Sequence, residues 1–215
     1  MLRGFLYRWG IFFFGLMVLG FGVALTIKGQ RLGVSSWDVL HIGLFNHFGL
    51  TIGTWNIIVG VVVITIASIG LREFPKTGTF VNMLMVGVFI DFFNWLLPDP
   101  TVFPLQVVSF LIGVLFTAAG SGIYISAKLG AGPRDSLMLM ITQKVKWSIR
   151  TSRTIMEFAV VIIGFFLGGP IGIGTVIMAF GLGPIIQTTL QYSERFMASL
   201  LQEKQKAPAY KRAQL

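Results

Sequence analysis

Two short stretches carry the residues best suited to chemistry in an otherwise apolar chain. Leu32-Gly33-Val34-Ser35-Ser36-Trp37-Asp38 is answered by Leu129-Gly130-Ala131-Gly132-Pro133-Arg134-Asp135, with Lys28 and Lys128 just upstream. Ser35 and Ser36 have the character of an N-cap and first helical turn, and Pro133 suits the first position of a helix. A helix that begins at such a motif presents unpaired N–H groups and the positive end of its dipole, which together hold an anion or a carboxylate. Gly33, Gly130 and Gly132 would let backbone approach closely. The candidate substrate-binding set is therefore Asp38, Asp135, Ser35, Ser36, Gly33, Gly130, Gly132, Lys28 and Lys128. The charges could coordinate a solute, carry a proton or form a gate. Plainer roles are also open: the aspartates as helix caps, and Lys28 and Lys128 snorkelling to headgroups. Arg31 and Arg134 break the repeat in position and have a weaker claim.

Other chemistry finds little support. The chain has no cysteine, and its two histidines, His41 and His47, are not spaced to share a helix face as metal ligands. No Ser-His pairing, H-E-x-x-H or clustered aspartates offer a catalytic set, so neither an enzyme nor a cofactor is expected. Asp91 and Glu157 interrupt apolar runs, where ionisable groups are costly and often functional. Asp91 lies within two turns of Leu97, and Glu157 lies near Arg150 and Arg153, so an interfacial place suits either. Asn56, Asn82 and Gln106 fit interhelical hydrogen bonding.

The elements that must position these residues follow from composition. Hydrophobic residues make up 54% of the chain and charged ones only 12%, against about 25% charged in a soluble domain. Apolar runs fall at Phe5–Ile27, Ile52–Leu71, Thr79–Leu97, Phe103–Ala127, Thr154–Leu167 with its flanks, and Ile171–Gln191. Each approaches the roughly 20 residues that carry a helix across a bilayer, and none alternates as a barrel strand would. The first run exceeds a signal-peptide core and lacks an A-x-A site after it, so it reads as a span. The net charge of +9 reads as loop charge that orients a membrane protein rather than as a nucleic-acid footprint.

The chain repeats itself. Gly20-Phe-Gly22 followed by Lys28 returns one hundred residues later as Gly120-Ser-Gly122 followed by Lys128, and Gly78-Thr79 with Gly87 aligns with Gly174-Thr175 and Gly183. Each half reads as a long span, a short segment and two more spans. The short segments, Trp37–Phe48 and Pro133–Val145, are of the length that is re-entrant or interfacial. If both return to the side they entered, fifteen lysines and arginines lie inside and two, Lys28 and Arg31, outside. Full crossing gives eleven against six, so the positive-inside rule favours the re-entrant form. Three spans per half invert the second half relative to the first. The expected fold is an all-α membrane protein of six spans plus two re-entrant helices, in inverted-topology repeats 1–102 and 103–201, with a basic cytoplasmic tail, 202–215. Secondary transporters share that architecture, with solute sites near the midplane.

The segments Arg8-Trp9-Gly10, Leu32 to His41, Leu50-Thr-Ile-Gly-Thr-Trp55, Gly78-Thr-Phe-Val-Asn-Met83 and Phe89-Ile-Asp91 together resemble the YczE/YyaS/YitT group of bacterial integral membrane proteins, most closely its YczE branch. The resemblance implies a multi-pass protein of the bacterial plasma membrane and carries no enzyme activity or substrate with it. The leading expectation is a transporter or permease component for a small anionic or zwitterionic solute, with both termini cytoplasmic. The alternative is an accessory protein that scaffolds a partner. Gly164, Gly168 and Gly172 have the small-xxx-small spacing of a homodimer face, and the tail would lie against the bilayer.

Overall fold

The computed structural model describes residues 2–130 and 132–200. The basic tail lies outside the described residues. Among those described, all regular structure is helical: α1 (Leu2–Lys28), α2 (Ser36–Phe48), α3 (Ile52–Leu71), α4 (Thr77–Leu96), α5 (Phe103–Ser126), α6 (Pro133–Val145), α7 (Ile149–Phe166) and α8 (Ile173–Leu200), with a 3-10 turn at Gln30–Leu32. A bilayer interior cannot satisfy backbone polar groups, and helices pair them internally.

Five helices, α1, α3, α4, α5 and α8, are long and apolar enough to cross a membrane. The chain is thus built as a multi-pass membrane protein. The sixth expected span, Thr154–Leu167, falls in α7, which Arg150, Arg153 and Glu157 leave outside that class. At thirteen residues each, α2 and α6 reach only about 20 Å at 1.5 Å per residue. Large apolar side chains such as Phe14, Leu115, Phe166 and Phe180 are exposed on the helix surfaces, as contact with lipid tails requires.

Capping explains where several helices begin. Thr51 accepts from Thr54 N at 3.0 Å to start α3, and Ser148 accepts from Thr151 N at 3.1 Å to start α7. Asp91 adds to the first of these, since its carboxylate takes the Gly53 N–H at 2.8 Å and the Thr51 hydroxyl. Its place near the end of α4 is therefore occupied by capping a neighbour. Pro184 sits inside α8, where a proline is tolerated more readily in a membrane helix than in water.

The central pair is α1 and α5, which share the largest interface. Glycines make it close: a Cβ on Gly22 would stand 2.2 Å from Thr117 N, and one on Gly120 would stand 2.3 Å from Leu19 N. Around that pair α4 packs on α1 and α8 on α5, while α2 packs on α7 and α6 on α3. One correspondence fails. Gly53 and Gly87 hold α3 against α4, but α7 and α8 share no comparable interface, and a Cβ on Gly183 would meet nothing within 4 Å.

The ends of α1, α2 and α4 and the beginnings of α3 and α5 line one open cavity of about 670 Å³, through Lys28, Asn46, Thr51, Asp91, Trp95 and Gln106 among others. These termini therefore gather at one end of the bundle. At α1's opposite end, Arg8 donates to Ala127 O just past the end of α5.

The dimer face expected from Gly164, Gly168 and Gly172 does not form, because the three are not on one helix. Gly164 belongs to α7, whereas Gly168 and Gly172 lie in the linker to α8. Gly164 and Gly172 are already filled, by Leu40 N and Leu32 O.

Candidate functional site

Two helix beginnings meet inside this bundle. At the start of α2, the Ser35 hydroxyl accepts from Asp38 N and donates to the Asp38 carboxylate. One turn on, His41 Nδ1 lies 3.5 Å from Asp38 Oδ1, long for a hydrogen bond. Asp38 and His41 are each 1% exposed, and neither of the two atoms has another partner. Ser36, beside them, is also buried.

The start of α6 is made differently. Its cap, Gly132, has no side chain to give, and Pro133 follows at the first helical position. The Asp135 carboxyl reaches back to the Gly132 backbone and is flanked by the charges of Arg153, Arg134 and Glu157. Of these, Arg153 and Glu157 are paired at 3.1 Å. The Arg134 guanidinium lies 5.0 Å over the Trp37 ring of α2, within the range of a cation–π contact. That contact joins the two helices. The charge of Arg134 acts on Asp38, Tyr124, Glu157 and Asp135, yet among the described residues no carboxylate or carbonyl accepts a hydrogen bond from it. Arg134 and Asp135 are only half-buried.

Two further polar groups face the start of α6. Asn82 Oδ1 of α4 and the Tyr124 hydroxyl of α5 each stand 3.5 Å from where a Cβ on Gly132 would be. Asn82 is 5% exposed, and its Nδ2 donates to nothing.

Several expected site residues stand elsewhere. Gly33 and Gly130 do admit close backbone, but that backbone is the protein's own: Gly172 N at 2.5 Å from a Gly33 Cβ, and Thr79 N at 2.7 Å from a Gly130 Cβ. They fit helix ends together and leave no room for a solute. Lys28 faces the open cavity and pairs with Asp99 at 2.6 Å, whereas Lys128 is largely exposed and pairs with Glu194 at 3.0 Å. Neither lysine is among the charges that act on Asp38 or Asp135.

Residues 6–191 match the model of a family of unknown function, DUF6198. The chain belongs to this family. It is 46% identical to the uncharacterized membrane protein YczE of Bacillus subtilis over 186 residues, 86% of each chain. It is 32% identical to an uncharacterized protein of Haemophilus influenzae, over 86% of this chain and 84% of that one, and 29% identical to the uncharacterized protein YyaS of B. subtilis, over 86% and 93%. No solved structure matches. The resemblance to the YczE and YyaS proteins is thereby established.

Sequence reasoning passed over Arg134, His41, Tyr124 and Asn82 as site members. Arg134 has a weaker claim from sequence because it and Arg31 break the repeat in position, and the fold nonetheless stacks it on Trp37. His41 was weighed only as a metal ligand. Tyr124 gave no signal beyond its place four residues before Lys128.

Proposed function

We propose that this protein is a small-solute transporter or permease component of the bacterial plasma membrane, whose site lies where α2 and α6 begin, and that it carries solute rather than catalysing a reaction. The observation that carries the reading is the Arg134–Trp37 contact between two short helices, with Asp38 and Asp135 in their first turns. Ionisable groups within a membrane protein's helix bundle are expensive and mark solute or ion pathways.

The finer architecture belongs to the same proposal: six spans, with α7 the sixth, two re-entrant helices, inverted halves and both termini cytoplasmic. The shared cavity supports re-entrance, because α1 and α2 both end on it and the chain between them need not cross. Reciprocal contacts support the repeat. Gly15 meets Tyr124 as Gly113 meets Thr26, and Gly22 meets Thr117 as Gly120 meets Leu19. Each partner lies 98 residues from its counterpart, two fewer than the motif spacing suggested. Gly33 against Thr175 is likewise mirrored by Gly130 against Thr79. Packing of two halves through equivalent residues supports a shared site at their junction, as in transporters built from inverted repeats. In that arrangement Arg153 and Glu157 neutralise each other within α7, which eases its crossing.

The test compares metabolites inside and outside cells that lack the gene with those in cells complemented by wild type, Asp38→Asn or Asp135→Asn. Wild type should restore a solute imbalance that neither variant corrects, although both accumulate in the membrane. Full restoration by both variants would remove the transport reading and favour an accessory role.

A further inference from the structure

The start of α6 is an unfinished hydrogen-bonding site. Arg134 carries five N–H donors in a planar fork, has one face on Trp37, and among the described residues gives none of the five to an acceptor. Asn82 Nδ2 is a second donor, sealed from solvent and unpaired, on the amide that abuts Gly132. A donor buried without an acceptor keeps the whole cost of its lost hydration. The buried Asn82 amide and the half-buried Arg134 fork at one helix beginning, with the Tyr124 hydroxyl beside them, are what an acceptor-rich ligand would satisfy.

The local charges select among anions. Arg153 is taken by Glu157, which leaves Arg134 as the cation available to a ligand. Asp135 and Asp38 lie close enough for their charges to act on it. A dianion such as phosphate would face both acids with one positive charge to hold it. A carboxylate brings a single charge and two coplanar oxygens that match the guanidinium edge. Any ammonium group on the same solute would find Asp135 or Asp38.

We propose that Arg134, assisted by Asn82 and the Tyr124 hydroxyl, binds the carboxylate of the transported solute, so that the substrates are small monocarboxylates, including zwitterions. This rests on the transport reading of the same site, but its test does not depend on flux. The full-length protein in detergent is titrated with sodium acetate, glycine, sodium chloride and sodium phosphate at matched ionic strength, and Tm is recorded. Acetate and glycine should raise Tm where chloride and phosphate do not. Arg134→Lys should weaken the response about tenfold, since an ammonium keeps the charge and loses the fork. Arg150→Gln, at the exposed start of α7, should leave it unchanged.

A measurement on unmodified protein guards against variants that misfold: acetate should slow phenylglyoxal modification of Arg134, mapped by mass spectrometry, and leave that of Arg150 unaltered. Equal responses to acetate and chloride, a larger response to phosphate, or full retention of the acetate response in Arg134→Lys would each overturn the assignment. Were acetate binding confirmed while the Asp38 and Asp135 variants still complemented, the site would stand and transport would fall.

Discussion

The beginnings of α2 and α6 occupy equivalent places in the two motifs and are finished in opposite ways. At α2 a serine closes the helix end and an aspartate and a histidine are sealed behind it. At α6 a glycine leaves the end uncapped, the aspartate is half-buried, and an arginine waits without an acceptor. Duplicated elements thus need not share duplicated tasks. The first end has its cap supplied by the protein itself and its aspartate and histidine closed off from solvent, whereas the second leaves its helix end uncapped and an arginine fork without an acceptor among the described residues.

The sharpest way to separate the two ends is through their glycines. Gly33 has φ +99°, and a Cβ there would stand 2.5 Å from Gly172 N. Gly132 is in an extended conformation with nothing nearer than 3.5 Å. Gly33→Ala should therefore cost several kcal/mol, about 1–3 for the backbone region and about 1–3 more for overpacking, and should prevent accumulation in the membrane. Gly132→Ala should accumulate normally, and membrane immunoblots of the two variants compare them directly. Loss of Gly132→Ala alongside Gly33→Ala would mean that the two ends are equally crowded.

A second contrast lies between the halves at α3–α4 and α7–α8. On Gly87 a Cβ would sit 2.6 Å from Gly53 O and from the Ile57 side chain, whereas on Gly183, which the sequence pairs with it, a Cβ meets nothing. Gly87→Ala should destabilise by about 1–3 kcal/mol. Gly183→Ala should shift thermal unfolding in detergent little, and by gaining helix propensity could raise it by several tenths of a kcal/mol. Equal losses in both would show that α8 closes on α7 as α4 closes on α3.

Much of this was legible beforehand because the governing signals are local. Apolar length marks Ile52–Leu71 to the residue, and the repeat together with Pro133 as a first-position proline marks Pro133–Val145. The aspartates were found because a repeat marks positions, but a repeat marks likeness, and what matters at α6 is a difference. Arg134 in place of an aromatic side chain looks like a lapse until the fold lays it on Trp37. Lys28 and Lys128 misled for the same reason: identical residues at similar spacing end on different faces, one toward a cavity and Asp99, the other toward Glu194. That Gly33 and Gly130 are filled by Gly172 and Thr79 depends on contacts between halves, which no local pattern encodes.

Exchanging the caps should change stability less than Gly33→Ala does, and it bears most directly on why the ends differ. In Ser35→Gly, α2 loses a cap worth a few tenths of a kcal/mol relative to glycine, and the buried Asp38 carboxylate loses a hydroxyl donor, worth about 1.5–3 kcal/mol for a charged acceptor. Gly132→Ser does the reverse. Its Cβ fits at ordinary contact distance, and its hydroxyl can turn onto the first N–H groups of α6, so thermal stability should hold or rise slightly. Function should move the other way, because the added oxygen would compete for the donors a solute carboxylate uses: Gly132→Ser should complement poorly, while Ser35→Gly keeps most of its activity at reduced Tm. If Gly132→Ser complements fully, the open end of α6 is an economy of sequence with no binding role. If it fails while its membrane level and Tm stay at wild-type values, the missing cap is what makes one of two similar helix ends available to a solute.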